Sequence, residues 1–165
     1  MKKYLQIVDR HKASLGTRFA NNIIDTIVLI IINFIISLIS LFIYNLTLLH
    51  FFYFYNNGGF IWNIFTGSMV AFLYFFLWEK FSEGKTPGKY ITGTIVISTD
   101  GQKPTTKQYL SRSLYRIIPF EAFTFFGSDG WHDSMSDTRV IDYKNYEAEK
   151  QTTSDIESLG NKEIA

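Results

Sequence analysis

The 165-residue chain contains no cysteine, which excludes disulfides, thiol nucleophiles and thiolate metal sites. Histidine is scarce: His11, His50 and His132 lie in separate regions, and their spacing matches no metal motif, so no metal site is expected. The formal net charge of +1 gives no argument for a nucleic-acid partner. Charge itself is missing over long stretches. Between Ile27 and Ile43 almost every residue is Ile, Leu, Val or Phe with no Lys or Arg, and residues 45–59 carry no Lys, Arg, Asp or Glu. The basic N-terminus, Lys2 and Lys3, is followed by Asp9, Arg10, His11 and Lys12 with no A-x-A site after the first apolar block, so that block is expected to remain uncleaved. The stretch from Gly84 to Lys89, GKTPGK, lacks the spacing of a phosphate loop and follows an apolar helix where such a loop follows a strand, so nucleotide binding is not expected. No nucleophile, metal cluster or carboxylate pair is arranged as in an active site. The expectation is therefore a protein that is not an enzyme and needs no cofactor.

What is present is apolar and gathered in two blocks, the pattern of an integral membrane protein. The first expected span covers about residues 19–44, long enough for the ~30 Å hydrocarbon core. The second covers about residues 60–78, from Phe60 to Trp78. Between them Asn56, Asn57, Gly58 and Gly59 read as a turn. Basic residues flank the pair on one side, Lys2, Lys3, Arg10, Lys12 and Arg18 before it and Lys80, Lys85 and Lys89 after it. Both chain ends are thus expected in the cytoplasm.

The first span keeps polar residues that a plain anchor would not. An ionisable group such as Asp25 costs roughly 2.5 to 3.5 kcal/mol at the centre of a span, so it marks a candidate functional site. At about 100° per residue Arg18, Asn22, Asp25, Asn33, Ser37 and Ser40 share about a third of the helix circumference. Such a stripe faces protein or water. Two readings stand: a site for an ion or solute, or a seam that glues helices together. In the second span Asn63, Gly67 and Ala71 share a face with Tyr74 and Trp78, a face suited to packing on the first helix or on a second protomer.

Residues 1–17 are expected to form a cytoplasmic amphipathic leader, with Ser14 or Thr17 capping the first long helix. After residue 79 the composition turns to Gly, Thr and Lys. A β-like alternation from Ile91 to Ser98 precedes the turn pair Asp100-Gly101. A strand at Thr138 to Ile141 is expected to pair with it. Residues 105–126 predict an interfacial or half-inserted amphipathic helix, interrupted by Pro119 and Glu121, with Arg112 and Arg116 placed for lipid or partner contact. Asp133 and Arg18 fall on the same side of the membrane and are expected to pair. Residues 143–165 are polar and mixed in charge, which predicts a disordered cytoplasmic tail. The fold class is a mainly α membrane protein: a two-span helical hairpin with a third amphipathic or half-inserted helix and a small cytoplasmic β element.

Several pieces, in order, carry a resemblance: Arg18 with Ile24-Asp25, Gly84-Lys85-Thr86-Pro87-Gly88-Lys89, Asp100-Gly101 with Pro104, Leu110-x-Arg112-x-Leu114-x-Arg116, and His132-Asp133 with Thr138 and Val140. Together, over about residues 14–142, they resemble the RDD family. That family is named for one arginine and two aspartates, and the matching positions are Arg18, Asp25 and Asp133. The resemblance implies a bacterial inner-membrane protein, in a family for which ligand transport has been proposed and cation/proton antiport attributed to some members. Here Pro119 and Glu121 sit where longer members run a third span. Two functions are expected from this: an oligomeric transporter or transporter subunit for a small ion or solute with Asp25 as its ionisable site, or a non-transporting scaffold or regulatory subunit held by an Arg18-Asp25-Asp133 polar network. Expected partners are the lipid bilayer, anionic lipid, and a second copy or another membrane protein.

Overall fold

The computed structural model describes residues 7–118 and 130–163, with side chains of the last helix described as far as Thr153. Two helices dominate it. Helix α1, Leu15–Thr47, starts where the Ser14 hydroxyl accepts from the Thr17 amide and ends where Leu48 turns left-handed at φ 55°. A short helix α2, His50–Asn57, follows, and then α3, Gly59–Phe81. Both α1 and α3 are long and apolar enough to cross a membrane. Their aliphatic and aromatic side chains, Ile30, Phe34, Phe42, Ile61 and Phe65 among them, are exposed, unlike those of a core helix in a water-soluble protein.

The connection departs from the expected turn at Asn56 to Gly59. Along α1, the Ser40 hydroxyl donates to the Phe52 carbonyl at 2.7 Å, Ser37 to the Asn56 amide oxygen at 2.5 Å, and Asn33 accepts from Tyr55 at 3.4 Å. Further down, Asp25 accepts from Tyr74. From Ser40 down to Asp25 the partners pass from Phe52 through Tyr55 and Asn56 to Tyr74, so α2 and α3 together form one return limb, interrupted at Gly58. The reversal of direction is at Leu48 and Leu49. Glycine is required at the break: a Cβ on Gly58 would lie 2.2 Å from the Trp62 ring, and Gly59 has φ +80°.

The remaining elements build a cap on the polar end of the hairpin. Helix α4, Pro87–Thr92, starts at the Thr86 side chain, carries Pro in its first turn and closes on Gly93 at φ 71°. It takes up the first part of the stretch expected to be extended, so strand β1 runs only over Thr94–Ser98. As expected, β1 pairs with β2, Thr138–Asp142, antiparallel with Val96 opposite Val140. Between the strands lie α5, Thr106–Tyr115, opened by a Thr105–Gln108 capping box, and α6, Trp131–Ser134. Helix α5 packs against α3 and is shorter than the helix expected over residues 105–126, whose part from 119 onward lies outside the described residues.

Two further expectations need correction. The leader does not spread as a surface helix through residue 17. After a helical turn at residues 7–10, it bonds to the free edge of β2, with the Ala13 amide donating to the Val140 carbonyl and the Asp142 amide to His11, both at 2.9 Å. Nor does the chain beyond residue 142 lack structure: it forms α7, Tyr143–Glu163. Although its composition is polar, Tyr146 is buried with Val8, Ile97 and Ile141, and Glu149 binds Arg10 and His11. One aromatic anchor and one carboxylate shared by two basic residues fasten its start. Tyr146→Ala is expected to destabilise the cap by roughly 3 kcal/mol and to accelerate limited proteolysis within 143–163; a cleavage pattern unchanged from wild type would contradict the anchoring.

Candidate functional site: a buried ionic network

The face of α1 that carries Arg18, Asn21 and Asp25 docks onto the cap. Asp25 is buried, and its carboxylate accepts from the Tyr74 hydroxyl at 2.9 Å, the Thr86 hydroxyl at 2.6 Å and the Gly88 amide at 2.9 Å. One turn earlier Asn21 donates to Thr94 at 2.9 Å and accepts from Thr92 at 2.5 Å. Close approach is essential here, because a Cβ on Gly88 would lie 2.5 Å from the Asn21 carbonyl oxygen. Asn21 rather than Asn22 makes this joint; the signal was its spacing of one helical turn from Asp25. Asn22 is half-buried at its margin.

Beside the joint runs a chain of alternating charges. The Arg18 guanidinium lies 4.0 Å from Asp133, as expected from their common side, and both are buried. Asp133 accepts directly from Arg112, whose guanidinium also donates to Thr138 and reaches Glu79 at 3.0 Å. Glu79, wholly buried, takes Lys89 at 2.7 Å and Arg116 at 3.4 Å as well. Arg116 further stacks 4.0 Å above the Phe75 ring centroid. Arg112, expected at lipid headgroups, is therefore fully buried, because two carboxylates offset the cost of removing its charge from water. Arg116 is mostly buried and faces the same carboxylate. Glu79 and Lys89 were not among the expected site residues. Their only signals were a carboxylate placed right after an apolar span and a lysine closing the Thr86-Pro87-Gly88-Lys89 turn.

Burial shapes the charges of the cap. It works against the ionised form of Asp133, but the neighbouring His132 and Arg112 charges override it and hold the carboxyl well below the usual range. For Lys89 burial is the larger effect and pushes the ammonium down, against the Glu79 carboxylate. For Arg112 the opposing pull of burial is overcome by Glu79 and Asp133, which hold it protonated.

A small cavity of about 20 Å³, room for one water, lies among Arg18, Asn22, Asp25, Lys89, Arg116 and His132. So the structure brings Arg18, Asn22, Asp25 and Asp133 into one region. It places Asn33 elsewhere, higher on α1 beside Tyr55. The face of Asn63, Gly67 and Ala71 does not close on α1 along its length. Ala71 is half-buried, Asn63 is exposed, and a Cβ on Gly67 would meet nothing within 4 Å. A family model described as the RDD family matches residues 12–136. No curated protein and no solved structure matches the chain.

Glu79→Gln is expected to cost about 3 to 5 kcal/mol, because it leaves three buried cations short of a counter-charge; a thermal-unfolding midpoint equal to wild type would refute the network. Asp133 titrates lower folded than unfolded, so its stabilising contribution is complete above about pH 4 and is lost as pH falls toward the folded value. Melting curves on acidification should therefore show a shallower acid limb for Asp133→Asn than for wild type.

Proposed function

The chain belongs to the RDD family, and we propose that it serves as a non-transporting membrane scaffold or regulatory subunit. The observation that carries this reading is the occupancy of Asp25. Its carboxylate accepts three hydrogen bonds, from Tyr74 on α3 and from Thr86 and Gly88 at the start of α4. A carboxylate engaged in this way is a joint between segments, and the two candidate crossings among the described residues do not by themselves enclose a path. In this reading the charged residues of the cap lie at the cytoplasmic face of a bacterial inner membrane, following the distribution of Lys and Arg around the spans. The groove of about 580 Å³ bounded by Phe81, Tyr90, Tyr143 and Lys85 is the surface offered to a partner protein. No enzymatic activity is assigned.

A second reading is favoured by the water-sized cavity on Asp25. In it the chain is one subunit of an oligomeric ion transporter, Asp25 exchanges a proton or cation, and Arg18 and Asn22 tune the exchange. One experiment separates the two. Purified wild type and Asp25→Asn are placed in proteoliposomes, and Na⁺, K⁺ and H⁺ flux is measured alongside thermal stability. The expected result is leak-level flux from both proteins, with the variant about 2 kcal/mol less stable. Cation-specific flux in wild type, lost in a variant that remains folded, would overturn the scaffold reading in favour of transport.

A further inference from the structure

A cleft within the hairpin is polar where its surroundings are not. It holds about 290 Å³ and is lined by Asn33 of α1, Tyr55 and Asn56 of α2, and Asn63, Thr66 and Gly67 of α3. Asn33 lies near the middle of α1, and around the cleft Ile31, Phe34, Phe54, Phe60 and Ile61 are exposed. These residues place it at the depth of the hydrocarbon core. The helix break at Gly58 lies at the same level. Interrupted backbone and open polar side chains are tolerated at that depth only against protein or in an aqueous cavity. Lipid alone does not satisfy them.

Within the cleft most polar groups are already engaged. Asn33 donates to the Leu29 carbonyl and accepts from Tyr55, Asn56 accepts from and donates to Ser37 of α1, and Thr66 donates to its own helix at 3.0 Å. The exception is Asn63: its side-chain amide makes no hydrogen bond among the described residues and is exposed. A primary amide carries both donors and an acceptor. It is therefore complementary to a copy of itself about a two-fold axis, where two amides exchange reciprocal hydrogen bonds. One turn along the same face, the open space at Gly67 leaves room for a second backbone to come close.

We propose that a second copy of this chain covers the cleft, α3 against α3, with Asn63 paired to the partner subunit's Asn63 and the backbones closest at Gly67. The two clefts then join into one polar chamber enclosed by protein at mid-bilayer, which no single copy completes. This pairing is independent of the role of Asp25, whose partners lie on the far side of the hairpin's length.

The absence of cysteine makes the chain its own background for a cross-linking test. Single cysteines replace Asn63, Gly67 or, about half a turn around α3, the exposed Phe65. Each variant is oxidised in native membranes with a membrane-permeant catalyst. Expected is a covalent dimer of this chain from N63C and G67C and little from F65C. In parallel, association in lipid is measured on dilution for wild type, Asn63→Leu and Asn63→Gln. The leucine variant is expected to associate at least about tenfold more weakly and the glutamine variant to retain most of the affinity. Equal cross-linking at Phe65, adducts only to a different protein, or wild type that stays monomeric at high protein-to-lipid ratio would each overturn the proposal. Because none of these readouts involves flux, their failure is distinguishable from failure of the scaffold reading.

Discussion

Glu79 is the constraint around which the polar end is arranged. Helix α3 carries this carboxylate into a position with no exposure, where an isolated charge would cost several kcal/mol. Three cations answer it from two separate stretches of chain: Lys89 from α4, and Arg112 and Arg116 from α5 and its end. Arg112 shares its charge with Asp133 and so fixes α6, and Asp133 in turn draws in Arg18 of α1. The apolar core of the cap is small, with Val8, Ile97, Ile141 and Tyr146 in one cluster and Ala13, Val96 and Val140 in another. Burial of such residues is favourable but has no preferred direction. The ionic chain supplies the direction, since each guanidinium or ammonium fits one place. Such networks add little stability over an apolar substitute, yet losing a single member strands the rest.

The membrane half obeys a different rule. With lipid outside and little water inside, polar groups must be satisfied within the protein, and the short helix α2 that ends at Gly58 is tied to α1 across the hairpin. Ser40 donates to the Phe52 carbonyl and Ser37 to the Asn56 side chain, while within α2 Asn57 donates to the Tyr53 carbonyl at 3.1 Å. The serines of α1 therefore serve α2, and the aspartate lower on the same helix serves the cap. One polar stripe divides into two jobs according to depth.

That division sets how much was legible in the sequence. Uninterrupted apolar runs announce α1 and α3 because a span is a local property of composition. The β1–β2 pairing was readable from β-branched alternation, and the Arg18–Asp133 pairing from the side on which both residues fall. Glu79 was not readable. A carboxylate beside Lys80 at the end of a span looks like an ordinary headgroup-level charge, and its partners Lys89, Arg112 and Arg116 lie far along the chain. The Asn56 to Gly59 segment is turn chemistry in either setting, and only the pairing of Tyr55 and Asn56 with α1 decides that the chain continues in the same direction. Helix α7 was missed because its anchoring rests on few residues, Tyr146 and Glu149, amid a composition typical of unfolded tails.

Arg18, Asn21, Asn22 and Asp25 occupy successive turns of one face of α1, and docking alone accounts for that spacing: the face meets Asp133 at its start and the opening of α4 at its end. Arg18, Asp25 and Asp133 are thus placed by the fold whether or not an ion is handled. What separates the two readings is access to the Asp25 carboxylate. For that carboxylate to take up a cation, Tyr74, Thr86 and Gly88 would have to release it. Release of Thr86 and Gly88 frees the start of α4, which also carries Lys89, and Glu79 would then lose one of its three cations. A transport step at Asp25 is therefore tied to loosening of the cap. In a protein that only scaffolds, the same bonds explain why the cap stays shut.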